Sequence, residues 1–165
     1  MYKRQTLYLV RHGRAGKRDD GDPLDTQRHL DNKGRRQAIW LADRLIDQPI
    51  DAVWSSPLPR CNQTVEPLAV TAGLDVELFD GLAEGTDIDT SWAVIAQGLE
   101  HNGDVVMCSH GDVIPDLVRR AQGRGMIVPG RAGFTKGSLW TFTVDDGRIV
   151  RGDWEAPPPK SALPG

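Results

Sequence analysis

The sequence feature that most constrains the fold is an uncharged stretch, Leu7-Tyr8-Leu9-Val10, that stops at Arg11-His12-Gly13. Four consecutive apolar or aromatic residues are typical of a strand that is buried on both faces. In an open α/β sheet the functional site lies just beyond the carboxyl ends of the strands, so we expect this junction to lie at such a site. An arginine there can hold an anion with forked hydrogen bonds, and a histidine can act as a base, a nucleophile or a metal ligand.

A second apolar run, Val105-Val106-Met107-Cys108, ends in the same way, at His110-Gly111. A third predicted strand ends near Trp54, and Arg60 follows it at the start of a predicted helix, where the helix dipole also favours an anion. Parallel strands bring their carboxyl ends to one edge of a sheet. One strand-terminal histidine is more often an incidental loop residue, whereas two His-Gly pairs with arginines are a much more specific signal. The pattern therefore predicts one anion site built from Arg11, His12, Arg60 and His110.

Helical periodicity and turn signals predict the remaining elements. Helices are expected from about 31 to 45, 58 to 72 and 90 to 100 and again after Gly111, with a short strand over 76–78 and a hairpin over 138–154. Asp31 is the expected N-cap of the first helix and Gly73 the stop of the second, in which Pro67 predicts a kink or a break. The alternation of strands and helices predicts a three-layer α/β/α sandwich around a mostly parallel central sheet.

Length and charge limit the class of protein. A chain of 165 residues suits one domain, expected over 1–154, with the proline-rich end at 155–165 expected to be a disordered tail. The balance of 20 basic and 23 acidic residues gives no global field for nucleic acid or an anionic membrane. No apolar stretch approaches the roughly 18 residues of a membrane span, and no signal peptide precedes the first strand, so we expect a cytoplasmic protein. Cys61 and Cys108 are interpreted as small buried hydrophobes rather than a disulfide or a metal site.

Taken together, these motifs resemble the histidine phosphatase superfamily, whose fold is phosphoglycerate mutase-like. The resemblance rests on Arg11-His12-Gly13, on the Ser-Ser-Pro-Leu-Pro-Arg-Cys-Asn-Gln-Thr run over 55–64, and on Ser109-His110-Gly111. The stretch over 28–38 is similar to the short SixA-type branch, which includes phosphohistidine phosphatases and modules attached to some nudix hydrolases. The resemblance implies that His12 takes the phosphoryl group covalently and that Arg11, Arg60 and His110 bind its oxygens. Gly13, which has no side chain, lets the backbone come close to the phosphate. The resemblance implies no metal and no cofactor.

The residue chemistry agrees with this interpretation. Phosphoryl transfer spreads negative charge over the equatorial oxygens, and permanently charged arginines suit the task of stabilising it. Their fields should also disfavour the imidazolium form of His12, which leaves a lone pair for attack. A leaving oxygen needs a proton, and Glu84 is the candidate acid, with Asp87 and Asp89 as alternatives. If imidazole were the leaving group, no acid would be required.

Three further cations follow the first motif: Arg14, Lys17 and Arg18. They are candidates for binding a second anionic group on the substrate, and a solvated loop whose charges are compensated by the following aspartates is the alternative. Mutases of the superfamily carry a serine and an asparagine after the first motif, so the Arg14-Ala15-Gly16-Lys17 run disfavours a phosphoglycerate mutase.

The substrate and two alternative functions stay open on the sequence. The expected substrate is either a protein phosphohistidine or a small phosphorylated molecule such as a nucleotide. One alternative is a metal-dependent hydrolase using His12, His110 and Asp112, although the chain lacks compact ligand pairs of the His-x-His or Asp-x-Asp kind. The other alternative is a non-catalytic module that binds phosphate groups.

Overall fold

The structure, a computed structural model, describes residues 3–17 and 21–165. Within these ranges the strands and α-helices run in the order β1 (Arg4–Arg11), α1 (Asn32–Leu45), β2 (Ile50–Ser55), α2 (Pro59–Ala72), β3 (Val76–Leu78), α3 (Ile88–Glu100), β4 (Asp104–Ser109), α4 (Val113–Gly123), β5 (Leu139–Asp145) and β6 (Arg148–Glu155). Short 3-10 helices cover Asp25–Gln27, Asp80–Leu82 and Lys160–Ala162.

The strands form one mixed sheet in the order β3-β2-β4-β1-β5-β6. The first four strands in this order are mutually parallel, while β5 runs antiparallel to β1 and to β6. Leu7 lies opposite Val105 and Arg11 opposite Ser109, so β1 and β4 end side by side. This register confirms the mostly parallel sheet and places the two His-Gly pairs at the same edge.

Each central strand sends alternate side chains to opposite faces of the sheet, as the two-residue period of a strand requires. In β1, Leu7 and Leu9 lie in a core cluster with residues of α3 and α4, whereas Tyr8 and Val10 lie in a second cluster with residues of α1 and α2. Both faces are therefore covered by helices, which explains why the strand has no polar alternation. The three-layer sandwich is confirmed.

The ends of the helices follow local signals. The Asp31 carboxylate accepts a hydrogen bond from the backbone N–H of Gly34 and caps α1 as predicted. Gly73 ends α2 in the left-handed region, with φ of 71°. Pro67 does not break α2, because Val65, Leu68 and Ala69 on either side of it stay buried against the sheet.

The proline-rich end lies against α1, whereas the sequence predicts disorder for 155–165. The Arg36 guanidinium donates to the carbonyl oxygens of Leu163 and Pro164 at 2.7 and 3.1 Å, and the Leu163 side chain is buried. Composition does not reveal such contacts, since they depend on a helix more than a hundred residues earlier in the chain. None of the helices in the described ranges has the length and apolarity of a membrane span.

Candidate active site

His12 follows β1 directly and is held as a neutral imidazole with its Nε2 lone pair available. Its Nδ1 lies 2.8 Å from the carbonyl oxygen of Gly13, which can only accept, so Nδ1 carries the proton. The pKa of His12 is lowered to about 3, chiefly because burial disfavours the imidazolium form. The positive charges of Arg60 and Arg11 lower it further, as the sequence predicts, but they are secondary to burial.

His110 follows β4 and faces the same point. The rings of His12 and His110 meet edge to face, with centroids 5.2 Å apart. The Nε2 of His110 lies 2.8 Å from Oγ of Ser56, which also accepts from the N–H of Leu58 at 3.3 Å. The Ser56 hydroxyl can donate its hydrogen to Nε2, and in that arrangement the ring proton of His110 is on Nδ1. That Nδ1 is buried without a hydrogen-bond partner among the described residues.

The Arg11 guanidinium packs closely against Gly111, so the Arg-His-Gly motif after β1 contacts the Ser-His-Gly motif after β4. The Nη1 of Arg11 donates to the carbonyl oxygen of Phe134 at 2.7 Å, while its buried Nε has no partner in the described part of the chain. A Cβ on residue 111 would stand 2.6 Å from Cζ of Arg11, so any other side chain there would force the guanidinium to move. The glycine after His110 is thus required by the position of the guanidinium.

Arg60 lies in the first turn of α2 and is only 1% exposed. Its Nη2 donates to Oε2 of Glu84 at 2.8 Å, and its buried Nε and Nη1 have no partner among the described residues. Buried guanidinium N–H groups without partners are costly, and an anion would satisfy them. The Arg60 side chain is therefore arranged to bind an oxyanion next to a carboxylate.

These groups surround a single cavity of about 320 Å³. Its lining comprises Arg11, His12, Arg28, Arg60, Glu84, His110, Gly111, Asp112 and Lys136. Two imidazoles, several cations and two carboxylates thus converge at the carboxyl edge of the parallel strands. The arrangement can hold a phosphoryl group and present a neutral nucleophile to its phosphorus.

A model of the histidine phosphatase superfamily (branch 1) matches residues 7–97 of the chain. The chain belongs to the histidine phosphatase superfamily. This assignment agrees with the resemblance found in the motifs, and the matched segment contains β1, α1, β2 and α2 with Arg11, His12 and Arg60.

Among curated proteins, the chain is 32% identical over 157 residues to the 8-oxo-(d)GTP phosphatase of Mycolicibacterium smegmatis. The match covers 93% of this chain and 49% of that protein, so the chain spans about half the length of this relative. Among solved structures, the protein histidine phosphatase SixA complexed with tungstate has a TM-score of 0.71 at 24% identity, covering 92% of this chain and 95% of that one. A mycobacterial glucosyl-3-phosphoglycerate phosphatase has a TM-score of 0.66 at 16% identity, covering 93% and 98% of the two chains. The two structural matches establish the shared histidine phosphatase fold.

Several residues that the sequence proposes for the site do not line the cavity. Gly13 does not line the cavity: its N–H donates to Oγ1 of Thr64 at 2.9 Å and its carbonyl holds His12, so it orients the histidine rather than a phosphate. Arg14 turns outward to Asp31, 2.9 Å away, and Lys17 is exposed and outside the lining. Arg18, the third cation of that group, lies outside the described residues.

The three candidate acids, Glu84, Asp87 and Asp89, differ in the contacts that they make. Asp87 caps α3 through Thr90, which lowers its pKa, and Asp89 pairs with Arg120 at 3.0 Å, so neither faces the cavity. Glu84 lines the cavity beside Arg60. Of the three carboxylates, Glu84 is therefore the one that lines the cavity.

Sequence reasoning missed three residues around the cavity. Ser56 directly follows β2 at the carboxyl edge of the sheet. Its position after a strand is a sequence signal that could have identified it. Arg28 lies in the polar loop that the sequence expects over the site. Lys136 lies in a glycine-rich segment without any periodicity, so no local pattern indicates it. Cys61 and Cys108 are free and buried as predicted, and Sγ of Cys61 lies 3.4 Å from Nε2 of His110.

The metal-dependent alternative requires a cluster of ligands. Across residues 3–17 and 21–165, no group of three or more His, Cys, Asp or Glu side chains is arranged to hold a metal ion. In particular, Oδ2 of Asp112 accepts from the N–H of Gly85 at 2.8 Å. The described donor set therefore fits an oxyanion better than a cation.

Proposed function

We propose that this protein is a metal-independent phosphatase that works through a covalent phosphohistidine on His12. The observation that carries the proposal is the neutral His12 ring: Nδ1 is held by the carbonyl of Gly13 and Nε2 is left as a nucleophile beside two arginines. A protonated imidazole has no lone pair for phosphorus, whereas this one stays neutral above about pH 4.

In the first step, Nε2 of His12 attacks phosphorus and the bond to the leaving group breaks. Arg11, Arg60 and Nδ1 of His110 stabilise the charge on the three equatorial oxygens, and Glu84 supplies a proton to an alkoxide leaving group. In the second step, water attacks the phosphohistidine, inorganic phosphate departs and His12 is regenerated. The arginines supply the positive charge that other phosphatases obtain from metal ions.

The proposed substrate is a phosphorylated compound, either a phosphomonoester or a phosphoramidate. The shared fold with SixA, described as a protein histidine phosphatase, supports a protein phosphohistidine. A nucleotide is the second candidate, because the chain aligns along nearly its whole length with part of an 8-oxo-(d)GTP phosphatase.

The nucleophile is tested with a radiolabelled substrate and a rapid quench. We expect a label on the protein that is labile to acid and stable to alkali, and no label or turnover in the His12→Ala variant. The His101→Gln variant is the matched control, since His101 follows α3 at the opposite edge of the sheet. Turnover by the native enzyme without any labelled intermediate would refute the mechanism.

The independence from metal ions is tested by chelation, and the substrate class is tested by a panel of substrates. Turnover should survive exhaustive treatment with EDTA, and strict dependence on an added divalent ion would favour a metal-dependent hydrolase. A panel of a phosphohistidine protein, nucleotides and sugar phosphates distinguishes the substrate classes by kcat/KM. Binding of phosphorylated compounds with no turnover of any of them would indicate a non-catalytic module.

A further inference from the structure

The cavity extends beyond the groups that a single phosphoryl group requires. Its volume of about 320 Å³ reaches the range of pockets that hold whole ligands. Besides Arg11 and Arg60, two more cations line it, Arg28 and Lys136, and neither has a role in the proposed phosphoryl transfer. Their position raises the question of what second group they recognise.

Arg28 is fixed in place by the loop that precedes α1. Its side chain is only 14% exposed, and its Nη1 donates to the carbonyl oxygen of Gly16 at 2.6 Å. Its Nε forms an ion pair with Asp25 at 3.3 Å but makes no hydrogen bond within the described ranges. A half-buried guanidinium group that lines a cavity, and whose Nε–H makes no hydrogen bond, is suited to an additional anionic ligand.

Lys136 is placed by a segment that is tied to the end of β1. The N–H of Gly137 donates to the carbonyl oxygens of Arg11 and His12, at 3.1 and 3.0 Å, and Arg11 donates to Phe134 at 2.7 Å. The Lys136 ammonium forms no ion pair with a described residue. Its pKa is lowered by partial burial and then by the positive charges of Arg11 and Arg28, while the Asp31 carboxylate acts in the opposite direction.

We infer that Arg28 and Lys136 form a second anion subsite, which holds the penultimate phosphate of an organic diphosphate while His12 takes the terminal phosphoryl group. This inference rests on the proposed function and names its substrate class. The second phosphate of a diphosphate is directly attached to the first, so both fit one continuous cationic cavity. Arg28 and Lys136 line the same cavity as His12, Arg11 and Arg60.

The chemistry balances without a further reactant. The bond between the terminal phosphorus and the bridging oxygen breaks as the bond from Nε2 of His12 to phosphorus forms, and the leaving group is a phosphate monoester. Water then hydrolyses the phosphohistidine to inorganic phosphate. A phosphate monoester is a stable anion, and binding to Arg28 and Lys136 stabilises the charge it gains on departure.

The test compares ADP with AMP, and it uses p-nitrophenyl phosphate as a reference substrate that lacks the second anion. We expect the native enzyme to prefer ADP over AMP in kcat/KM. The Lys136→Gln variant should lose about tenfold on ADP, as expected when one hydrogen bond to a charged group is removed, and change by less than about twofold on p-nitrophenyl phosphate. Lys136 is exposed, so this substitution does not threaten the core. The Lys33→Gln variant removes a nearby charge outside the cavity and should leave the preference unchanged.

Arg28 is tested by conservative and non-conservative variants. Arg28→Gln should reduce turnover of ADP selectively and Arg28→Lys should restore part of it, since the subsite requires a cation. Methylenediphosphonate should inhibit the native enzyme more strongly than methylphosphonate, and the difference should shrink in the Lys136→Gln variant. This arm measures binding without turnover.

The outcomes separate this inference from the proposed function. Absence of the label on His12 would overturn the phosphatase mechanism itself. Normal turnover of p-nitrophenyl phosphate with no preference for ADP, or an equal loss on all substrates in the Lys136→Gln variant, would overturn the subsite alone. Dependence on Lys136 for an acidic phosphopeptide but not for ADP would overturn the diphosphate assignment.

Discussion

The low pKa of His12 predicts how the stability of the protein depends on pH. The imidazole has a pKa of about 3 in the folded protein and about 6.5 in the unfolded chain. Below pH 6.5 the unfolded chain therefore binds a proton that the folded protein does not, so the stability falls as the pH drops from about 6.5 towards 3. The full effect below pH 3 corresponds to about 5 kcal/mol, and about 2 kcal/mol of it is lost between pH 7 and pH 5.

The perturbation is the His12→Asn substitution, whose amide can still donate to the carbonyl of Gly13 but does not titrate. Urea unfolding followed by fluorescence of the five tryptophans measures the free energy of unfolding at pH 7, 6 and 5 in phosphate-free buffer. The native protein should lose about 2 kcal/mol more than the variant over this interval, since the titrations of groups distant from His12 are shared and cancel in the difference. Parallel pH profiles for the two proteins would refute the claim that His12 is buried as a neutral ring.

Three further substitutions test the site. Gly111→Ala should lower kcat at least about tenfold because its Cβ would displace the Arg11 guanidinium, and an unchanged kcat would show that Arg11 does not bind the phosphoryl group. Ser56→Ala should lower kcat/KM about tenfold by freeing the tautomer of His110, with Ser56→Thr restoring part of it; equal values for both variants would remove that role. Glu84→Gln should slow alkyl phosphates more than aryl phosphates, and an equal loss on both would remove Glu84 as the acid.

The sequence predicts that four of the residues lining the cavity converge there, because three of them lie at or just after strand ends. Arg11, His12 and His110 were expected at one edge from their position after apolar strands, and Arg60 from the start of α2. The register of β1 against β4 then brings the two histidine rings within 5.2 Å. In a parallel sheet the sequence indicates the site directly, because a strand that is buried on both faces is recognisable as an apolar run and ligands bind beyond its carboxyl end.

The two loop cations that line the cavity, Arg28 and Lys136, could not be predicted in the same way. The sequence offers Arg14, Lys17 and Arg18 beside the first motif, yet the structure brings Arg28 and Lys136 to the cavity and turns Arg14 towards Asp31. Loop residues carry no periodicity, so their direction depends on long-range hydrogen bonds. Examples are the bond from the N–H of Leu30 to the Gln63 side chain at 2.9 Å and that from the N–H of Gly137 to the carbonyl of His12 at 3.0 Å.

Local sequence patterns thus predict the succession of strands and helices along the chain, the cap of α1 at Asp31, the end of α2 at Gly73, and four of the groups that line the cavity. These features depend on local periodicity and on the residue that follows each element, and a few neighbouring residues are enough to reveal both. The assembled fold brings two loop cations, Arg28 and Lys136, and two carboxylates, Glu84 and Asp112, to the cavity, and it places the proline-rich end against α1. These features depend on contacts between segments far apart in the chain, whose geometry exists only once the sheet and its helices have assembled.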